Sequence, residues 1–94
     1  MADTKIIFSN HAVLQMFQRR ISVEDVKFVL LNGVVVNEYP EDKPLPSKLL
    51  FAVCNNRNLH VLCTENLSDN EIIIITAYEA SIEIWENDFV TRKK

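Results

Sequence analysis

The sequence predicts an α+β fold in which two N-terminal helices pack on a four- to five-stranded antiparallel sheet. Two observations carry this prediction: apolar residues recur with helical spacing in the first third of the chain, and β-branched runs separated by turn residues fill most of the rest. With 94 residues, of which 48% are hydrophobic, the chain can bury one core without metal or disulfide support. We therefore expect a single domain over residues 1–94, a two-layer sandwich with the order β-α-α-β-β-β-β.

The first two elements are a short strand and a helix. Lys5–Phe8 is an apolar segment long enough for a strand, and Ser9 or Asn10 can cap the helix that follows. The apolar face of this helix contains Val13, Leu14, Met16, Phe17 and Ile21. Arg19 and Arg20 fall in its last turn, where positive charge interacts favourably with the helix dipole.

A second helix is predicted to begin after Ser22. Ser22 can cap this helix while the Asp25 side chain reaches back to it, an arrangement called a capping box. The apolar face contains Val23, Val26, Val29 and Leu30, widened by Phe28 and Leu31. Gly33 follows the helix, and we expect it to adopt the left-handed conformation that commonly ends helices.

Four runs of strand-forming residues predict the remainder of the sheet. They are Val34–Tyr39, Lys48–Cys54, Leu59–Thr64 and Glu71–Tyr78. Residues 40–46 contain all three prolines and form a rigid connector, because proline cannot donate to a sheet ladder. Residues 55–58 and 65–70 are predicted hairpin loops, and residues 79–89 are compatible with a short helix or turn docked on the sheet.

The hairpin at residues 55–58 assigns side chains to the two faces of the sheet. If Cys54 pairs with Leu59, the face that packs on the helices contains Leu50, Ala52, Cys54, Leu59, Val61 and Cys63. The opposite face then contains Leu49, Phe51, Val53, His60, Leu62 and Thr64. Tyr78 shares that opposite face only if His60 pairs with Thr76 rather than Ile75, since a one-residue slip turns every side chain over.

Cys54 and Cys63 are expected to be buried free thiols. The predicted register separates them by roughly 13 Å along the ladder, too far for a disulfide. Two cysteines without a CxxC motif make a weak zinc signal, so we expect neither a metal nor a cofactor.

The charge and the hydropathy pattern limit the partners and the cellular location that we expect for this chain. A formal net charge of −3 weighs against non-specific nucleic-acid binding, which depends on neutralising phosphates. We see neither an apolar run long enough for a membrane span nor a signal-peptide pattern at the N-terminus. These features predict a soluble cytoplasmic protein without membrane partners.

Two histidines, His11 and His60, are the side chains whose ordinary pKa lies near neutral pH. Metal-free RNA cleavage needs a base, an acid and nearby cations, and the remaining candidate groups are Tyr78, Arg19, Arg20 and Lys48. His11, at a helix N-terminus, is better suited to act as a base than as an acid, or the helix start could hold a phosphate.

Each of these residues also has a structural interpretation. His11 could simply order the start of the helix, and His60 could be a hydrogen-bonded strand residue. Arg19 and Arg20 could be a solvated helix end. A nucleophile elbow, a glycine-rich phosphate loop and an HExxH motif are all absent from the sequence, so no single motif identifies an enzyme.

An ordered set of short segments resembles one known family, the domain of unknown function numbered 4258. The segments are Phe8-Ser9-Asn10-His11-Ala12, Arg19 with Ile21-Ser22-Val23-Glu24-Asp25-Val26, Tyr39-Pro40, Pro46-Ser47, Leu59-His60-Val61, and Ile75-Thr76-Ala77-Tyr78-Glu79 with Trp85. The resemblance extends from Ile6 to about Arg92, and family members tend to carry a glycine at the position of Arg20.

The resemblance implies a toxin of a toxin–antitoxin pair, similar to the RelE and MqsR ribonucleases. It implies RNA and a YgiT-type zinc-finger antitoxin as partners, and catalysis without a metal by His60, Tyr78 and Arg20, with His11 as a further candidate. RelE-like ribonucleases are usually basic, whereas this chain is acidic. One alternative is a non-catalytic protein-binding module of the same fold, and another is a small-molecule sensor using a pocket under the proline connector.

Overall fold

A computed structural model describes residues 4–43, 45–66 and 68–80, which form two helices and a five-stranded sheet. The elements are β1 (Lys5–Phe8), α1 (Asn10–Arg19), α2 (Val23–Asn32), β2 (Val34–Tyr39), β3 (Ser47–Cys54), β4 (Arg57–Asn66) and β5 (Glu71–Glu79). The α+β class and the order of the elements are confirmed. Residues 79–89 were predicted as a docked helix or turn, and the part of this segment beyond residue 80 lies outside the described residues.

The sheet is mixed, whereas the sequence predicted an antiparallel one. Its strand order is β1-β5-β4-β3-β2, and β2 to β5 form the expected antiparallel meander. β1 instead pairs with β5 in parallel, with Lys5 opposite Glu71 and Phe8 opposite Ile74. Parallel neighbours need a long crossover, and the chain between β1 and β5, which includes both helices, supplies one.

The helices begin as predicted. The Ser9 hydroxyl accepts a hydrogen bond from the Ala12 N–H at 3.0 Å and donates one to the Ile75 carbonyl at 3.1 Å. Ser22 and Asp25 form the full capping box, with bonds of 3.0 and 2.9 Å. The bond from the Ser22 backbone N–H lowers the pKa of the Asp25 carboxyl below its ordinary value.

The left-handed residue lies at the end of α1 and not at Gly33, where the prediction was wrong. Gly33 has φ −73° and ψ 158°, an extended conformation open to any residue. A Cβ at Gly33 would lie 2.4 Å from the Val29 carbonyl oxygen and 3.0 Å from that of Phe51. A side chain here would therefore collide first with the last turn of α2 and also with β3, which is the reason for this glycine. Arg20, at the C-cap of α1, has φ 56°.

The β3–β4 hairpin is tighter than predicted. Cys54 lies opposite Arg57 and not Leu59, and the turn consists of Asn55 and Asn56, with φ of 52° and 65°. Positive φ at both central residues is typical of type I′ turns, and asparagine tolerates it. The error of two residues leaves every side chain on its predicted face, because the facing of a strand has a period of two.

A bulge in β5 reverses the facing of its second half. β5 carries one extra residue, Ile75, between the partners of Leu62 and Cys63. Without the bulge, the pairing near the β4–β5 loop would turn Tyr78 toward the helices and Ala77 away from them. The extra residue exchanges these two positions, so that Ala77 enters the core and Tyr78 faces the other way.

The main core lies between the helices and the predicted apolar face of the sheet. Its buried members are Ala12, Met16, Ile21, Val26, Val29, Leu50, Ala52, Cys54, Leu59, Val61, Cys63, Ile74 and Ala77. All six sheet residues predicted for this face are included. Cys54 and Cys63 are buried free thiols, as expected.

The apolar faces of the helices are buried only in part. α1 contacts mainly β5 and α2 contacts β3 and β4, so the sheet covers a narrow stripe of each helix. Phe17 of α1 and Leu31 of α2 are 84% and 85% exposed, and Val13 is 54% exposed. Within the described residues, neither helix is long and apolar enough to cross a membrane.

Candidate functional site

The candidate site lies on the face of the sheet that points away from the helices, which we call the outer face. Its central strand positions are Leu49, Phe51, His60, Leu62, Thr76 and Tyr78. His60 lies in the middle of β4, with Phe51 opposite it on β3 and Tyr78 opposite it on β5. The predicted placement of His60 on this face is confirmed, and its side chain is fully buried.

His60 and Tyr78 form a hydrogen-bonded pair. The distance between His60 Nδ1 and the Tyr78 hydroxyl oxygen is 3.1 Å, and the two rings meet at 65° with centroids 5.3 Å apart. Phe51 packs edge-on against the other side of the imidazole, with a centroid distance of 5.7 Å. Tyr78 and Phe51, on the two adjacent strands, therefore both restrain the orientation of the imidazole.

The register that unites this pair differs from both registers considered from the sequence. His60 pairs with Tyr78 itself, and neither Thr76 nor Ile75 lies opposite it. The observed pairing has the same parity as the Thr76 alternative, so His60 and Tyr78 share a face. The bulge at Ile75 produces this parity, and the Ser9 hydroxyl bonds to the carbonyl of the bulged residue.

Tyr78 also borders a cleft of about 320 Å³ on the outer face, which we call the tyrosine cleft. It is lined by Tyr39, Asp42, Leu49, Leu62 and Tyr78. Leu49 is buried, and both tyrosines keep part of their surface exposed. Because His60 has no exposed surface, a ligand in this cleft would meet the pair at Tyr78.

Among the described residues that line the tyrosine cleft, Asp42 carries a charge. It belongs to the proline connector, and its carboxylate accepts a hydrogen bond from the Ser47 hydroxyl at the start of β3. Tyr39, the last residue of β2, bonds weakly through its hydroxyl to the Asn37 side-chain amide at 3.4 Å. The sequence analysis did not identify Asp42 and Tyr39 as site residues. The signal for them is the change from strand to proline connector at residues 39–40, next to which both residues lie.

His11 and Arg20, the other two predicted site residues, belong to α1 and lie in the helix layer. His11 is exposed in the first turn of α1, and Arg20 is exposed at its C-cap. The structure therefore brings His60 and Tyr78 together but separates both from His11 and Arg20 by the thickness of the sheet.

Two further cations, Arg57 and Lys48, have structural partners. Arg57 donates two hydrogen bonds of 2.8 Å to the carbonyls of Arg19 and Arg20, and thereby satisfies the C-terminal end of α1. Its Nε also bonds to Glu79 at 3.3 Å. Lys48 forms an ion pair with Glu65, whose hydrogen bond raises the pKa of the lysine above its ordinary value.

A second cleft, of about 400 Å³, lies beneath the proline connector. Its lining residues are Glu38, Pro40, Pro46, Ser47, Lys48, Cys63 and Glu65. Burial raises the pKa of the Cys63 thiol to about 11, so the thiolate needed for nucleophilic chemistry is scarce at neutral pH. Within the described residues, no group of three or more His, Cys, Asp or Glu side chains is arranged to hold a metal ion.

Comparison with known proteins gives one match. The model of a family described as "Domain of unknown function (DUF4258)" matches residues 8–79, which include His60, Tyr78 and the other described residues that line the tyrosine cleft. Comparisons with curated proteins and with solved structures gave no match.

Proposed function

The chain belongs to the DUF4258 family, and from that premise we propose that it is a metal-independent endoribonuclease of the RelE/MqsR class, the toxin of a toxin–antitoxin pair. The observation that carries this proposal is the His60–Tyr78 pair at the border of an accessible cleft. The two-layer arrangement of two helices on a sheet dominated by an antiparallel meander also supports a RelE-like fold.

In the proposed reaction, Tyr78 is the group that touches the RNA. Cleavage transfers the proton of a 2′-hydroxyl to a base, the 2′-oxygen attacks the phosphorus, and the 5′-oxygen leaves with a proton from an acid. The Tyr78 hydroxyl can take the 2′-hydroxyl proton while it passes its own proton to His60 Nδ1 across the 3.1 Å hydrogen bond. The reverse transfer, from His60 to Tyr78 and from Tyr78 to the leaving 5′-oxygen, restores both side chains. His60 therefore acts through Tyr78 and also fixes its orientation.

The first test is cleavage of RNA by the purified chain in the presence of EDTA. We expect new ends bearing cyclic phosphate, and a loss of at least about tenfold in rate for Tyr78→Phe and for His60→Ala, in the range typical of general acid–base groups. Tyr39→Phe is the matched control, because it removes a phenol hydroxyl from the same cleft without touching His60. Thermal unfolding of each variant confirms that it is folded.

The same assay decides the roles of His11 and Arg20. If His11→Ala and Arg20→Ala abolish cleavage while Tyr78→Phe does not, the catalytic residues lie in the helix layer and not on the outer face. If expression of the wild-type chain leaves growth unaffected and RNA remains whole, the ribonuclease proposal fails.

A second candidate function is a non-catalytic protein-binding module of the same fold, with a YgiT-type zinc-finger protein as the expected partner. Two observations favour it. Of the described lysines and arginines, none lines the tyrosine cleft, where a phosphate would need positive charge. An apolar groove on the helix layer is also exposed; it is lined by Phe8, Val13, Met16, Phe17, Ile21, Ser22 and Val23.

Co-expression with such a zinc-finger protein distinguishes the two candidates. The binding module predicts a stable complex that Phe17→Ser disrupts, together with no RNA cleavage by the isolated chain. Leu31→Ser, at an equally exposed position of α2 outside the groove, is the matched control. Absence of a complex, or a complex equally weakened by both variants, would argue against this candidate.

A further inference from the structure

We propose that the tyrosine cleft is a binding site for a guanidinium group, supplied as an arginine side chain by a partner protein. The proposal rests on the cleft's own chemistry and does not depend on ribonuclease activity. The described residues that line the cleft are two tyrosines, one aspartate and two leucines. This combination of aromatic faces with a negative charge and an apolar floor is suited to a cation that has an apolar stem.

Each part of an arginine has a counterpart in the cleft. The planar guanidinium can stack on the exposed faces of Tyr39 or Tyr78, and Asp42 supplies the opposite charge. The aliphatic stem can cover Leu49 and Leu62, which form the apolar part of the lining. A volume of about 320 Å³ is sufficient for one such side chain.

The Asp42 carboxylate is held in place for this role. The Ser47 hydroxyl donates to one of its oxygens, so the side chain is oriented before a ligand arrives. Within the described part of the chain, no lysine or arginine forms an ion pair with Asp42; the two ion pairs found there join Lys48 to Glu65 and Arg57 to Glu79. The charge of Asp42 therefore lacks a cationic partner within this part of the chain.

Electrostatics favour an arginine side chain as a bound occupant of the cleft. The chain has a formal net charge of −3, and the described residues that line the cleft contribute one negative and no positive charge. An arginine-bearing segment would be attracted there and would compete with RNA, whose backbone gains no attraction from a lysine or arginine among these lining residues. An arginine bound in this cleft would cover Tyr78, so the partner would block access to the His60–Tyr78 pair.

The test is an NMR titration of the full-length, isotope-labelled protein with Nα-acetyl-argininamide. We expect saturable chemical-shift changes at residues 39, 42, 49, 62 and 78, with millimolar affinity for a single side chain. Nα-acetyl-citrullinamide, a neutral analogue of nearly the same shape, should bind about tenfold more weakly, because it lacks the charge that Asp42 and the tyrosines recognise.

Two variants locate the site. Asp42→Asn should weaken binding of the arginine probe about tenfold, whereas Glu41→Gln, which removes the same charge from the neighbouring exposed residue, should change it less than twofold. Tyr39→Leu keeps the wall apolar and should weaken binding through loss of the aromatic face. Ser47 can still donate to the asparagine oxygen, so Asp42→Asn should remain folded.

Three results would overturn the proposal. Equal binding of the arginine and citrulline probes would show that charge is not recognised. Unchanged binding by Asp42→Asn would place the cation elsewhere. Stronger binding of guanosine or cytidine 5′-monophosphate than of the arginine probe at these residues would identify the cleft as a nucleotide subsite. None of these results depends on RNA cleavage, so failure here is distinguishable from failure of the ribonuclease proposal.

Discussion

Replacing Gly33 by alanine tests the reason we assign to this glycine. If Gly33 were needed for a left-handed conformation, asparagine would be a good substitute, because asparagine tolerates that region. The observed φ of Gly33, −73°, suits any residue. The obstacle to a side chain is instead the Val29 carbonyl oxygen, which lies 2.4 Å from the position of a new Cβ. Alanine and asparagine should therefore be equally harmful.

The expected cost follows from the distances. The new Cβ would be 0.6 Å inside the 3.0 Å limit that real Cβ atoms respect, and the Phe51 carbonyl on the other side is already at 3.0 Å. Overpacking of this kind costs about 1–3 kcal/mol. The reduced conformational entropy of the unfolded alanine variant offsets roughly 0.4–1 kcal/mol of this cost. Strain on the 2.7 Å hydrogen bond from Gly33 to Val29 adds about 1 kcal/mol. The net loss is therefore about 2 kcal/mol.

Urea unfolding followed by far-ultraviolet circular dichroism measures this change. A loss of about 2 kcal/mol lowers the midpoint by roughly 1 M for a protein of this size, with little change in slope. A Gly33→Ala variant as stable as the wild type would refute the close-approach argument. A Gly33→Asn variant much more stable than Gly33→Ala would restore the left-handed interpretation.

Four other perturbations have defined outcomes. Arg20→Gly should stabilise the protein by about 1 kcal/mol, measured by the same unfolding assay, because glycine adopts the left-handed conformation without steric cost. The Asp25 carboxylate stabilises the wild type above its ordinary pKa of 3.8, and this stabilisation is lost as the pH falls through the lowered pKa of the folded state. Asp25→Asn should remove it, so the free energies of unfolding of the variant and the wild type should converge in acid. Ser22→Ala should cost about 1 kcal/mol at neutral pH through loss of the cap. Cys63 should resist iodoacetamide at pH 8 until the protein unfolds, because its pKa is about 11 and its side chain is buried; mass spectrometry of the labelled peptide checks this.

The assignment of residues to the two faces of the sheet could be predicted from the sequence because it depends only on parity. Placing Cys54 opposite Leu59 was wrong by two residues, yet Leu50 and Val61 are buried and His60 is on the outer face as expected. Helix starts were equally predictable, since the caps of Ser9 and Ser22 are local hydrogen bonds.

Features set by tertiary contact could not be predicted in the same way. β1 adds in parallel to an edge that the sequence does not specify, and the buried fraction of Phe17 depends on how much of α1 the sheet covers. The second of the two close contacts at Gly33, with the Phe51 carbonyl oxygen, involves a residue that is distant in sequence. Local patterns carry no information about such distances.

The residues of the tyrosine cleft also divide into those that the sequence predicted and those that it did not. Tyr78 was singled out by its chemistry and by a family resemblance, whereas Tyr39 and Asp42 come from a strand end and a connector almost 40 residues away. An aspartate in a proline-rich connector is usually a turn residue. Only the folded chain shows that it lies beside an aromatic wall.

The bulge at Ile75 makes the number of residues in β5 as important as their identity. When members of this family are aligned, a one-residue gap in the β4–β5 loop leaves the outer face unchanged, but the same gap between Ile74 and Thr76 turns the following tyrosine into the core. A relative could thus retain both the histidine and the tyrosine and still lack the pair they form. Gap placement, rather than the identity of either residue, would identify such a relative.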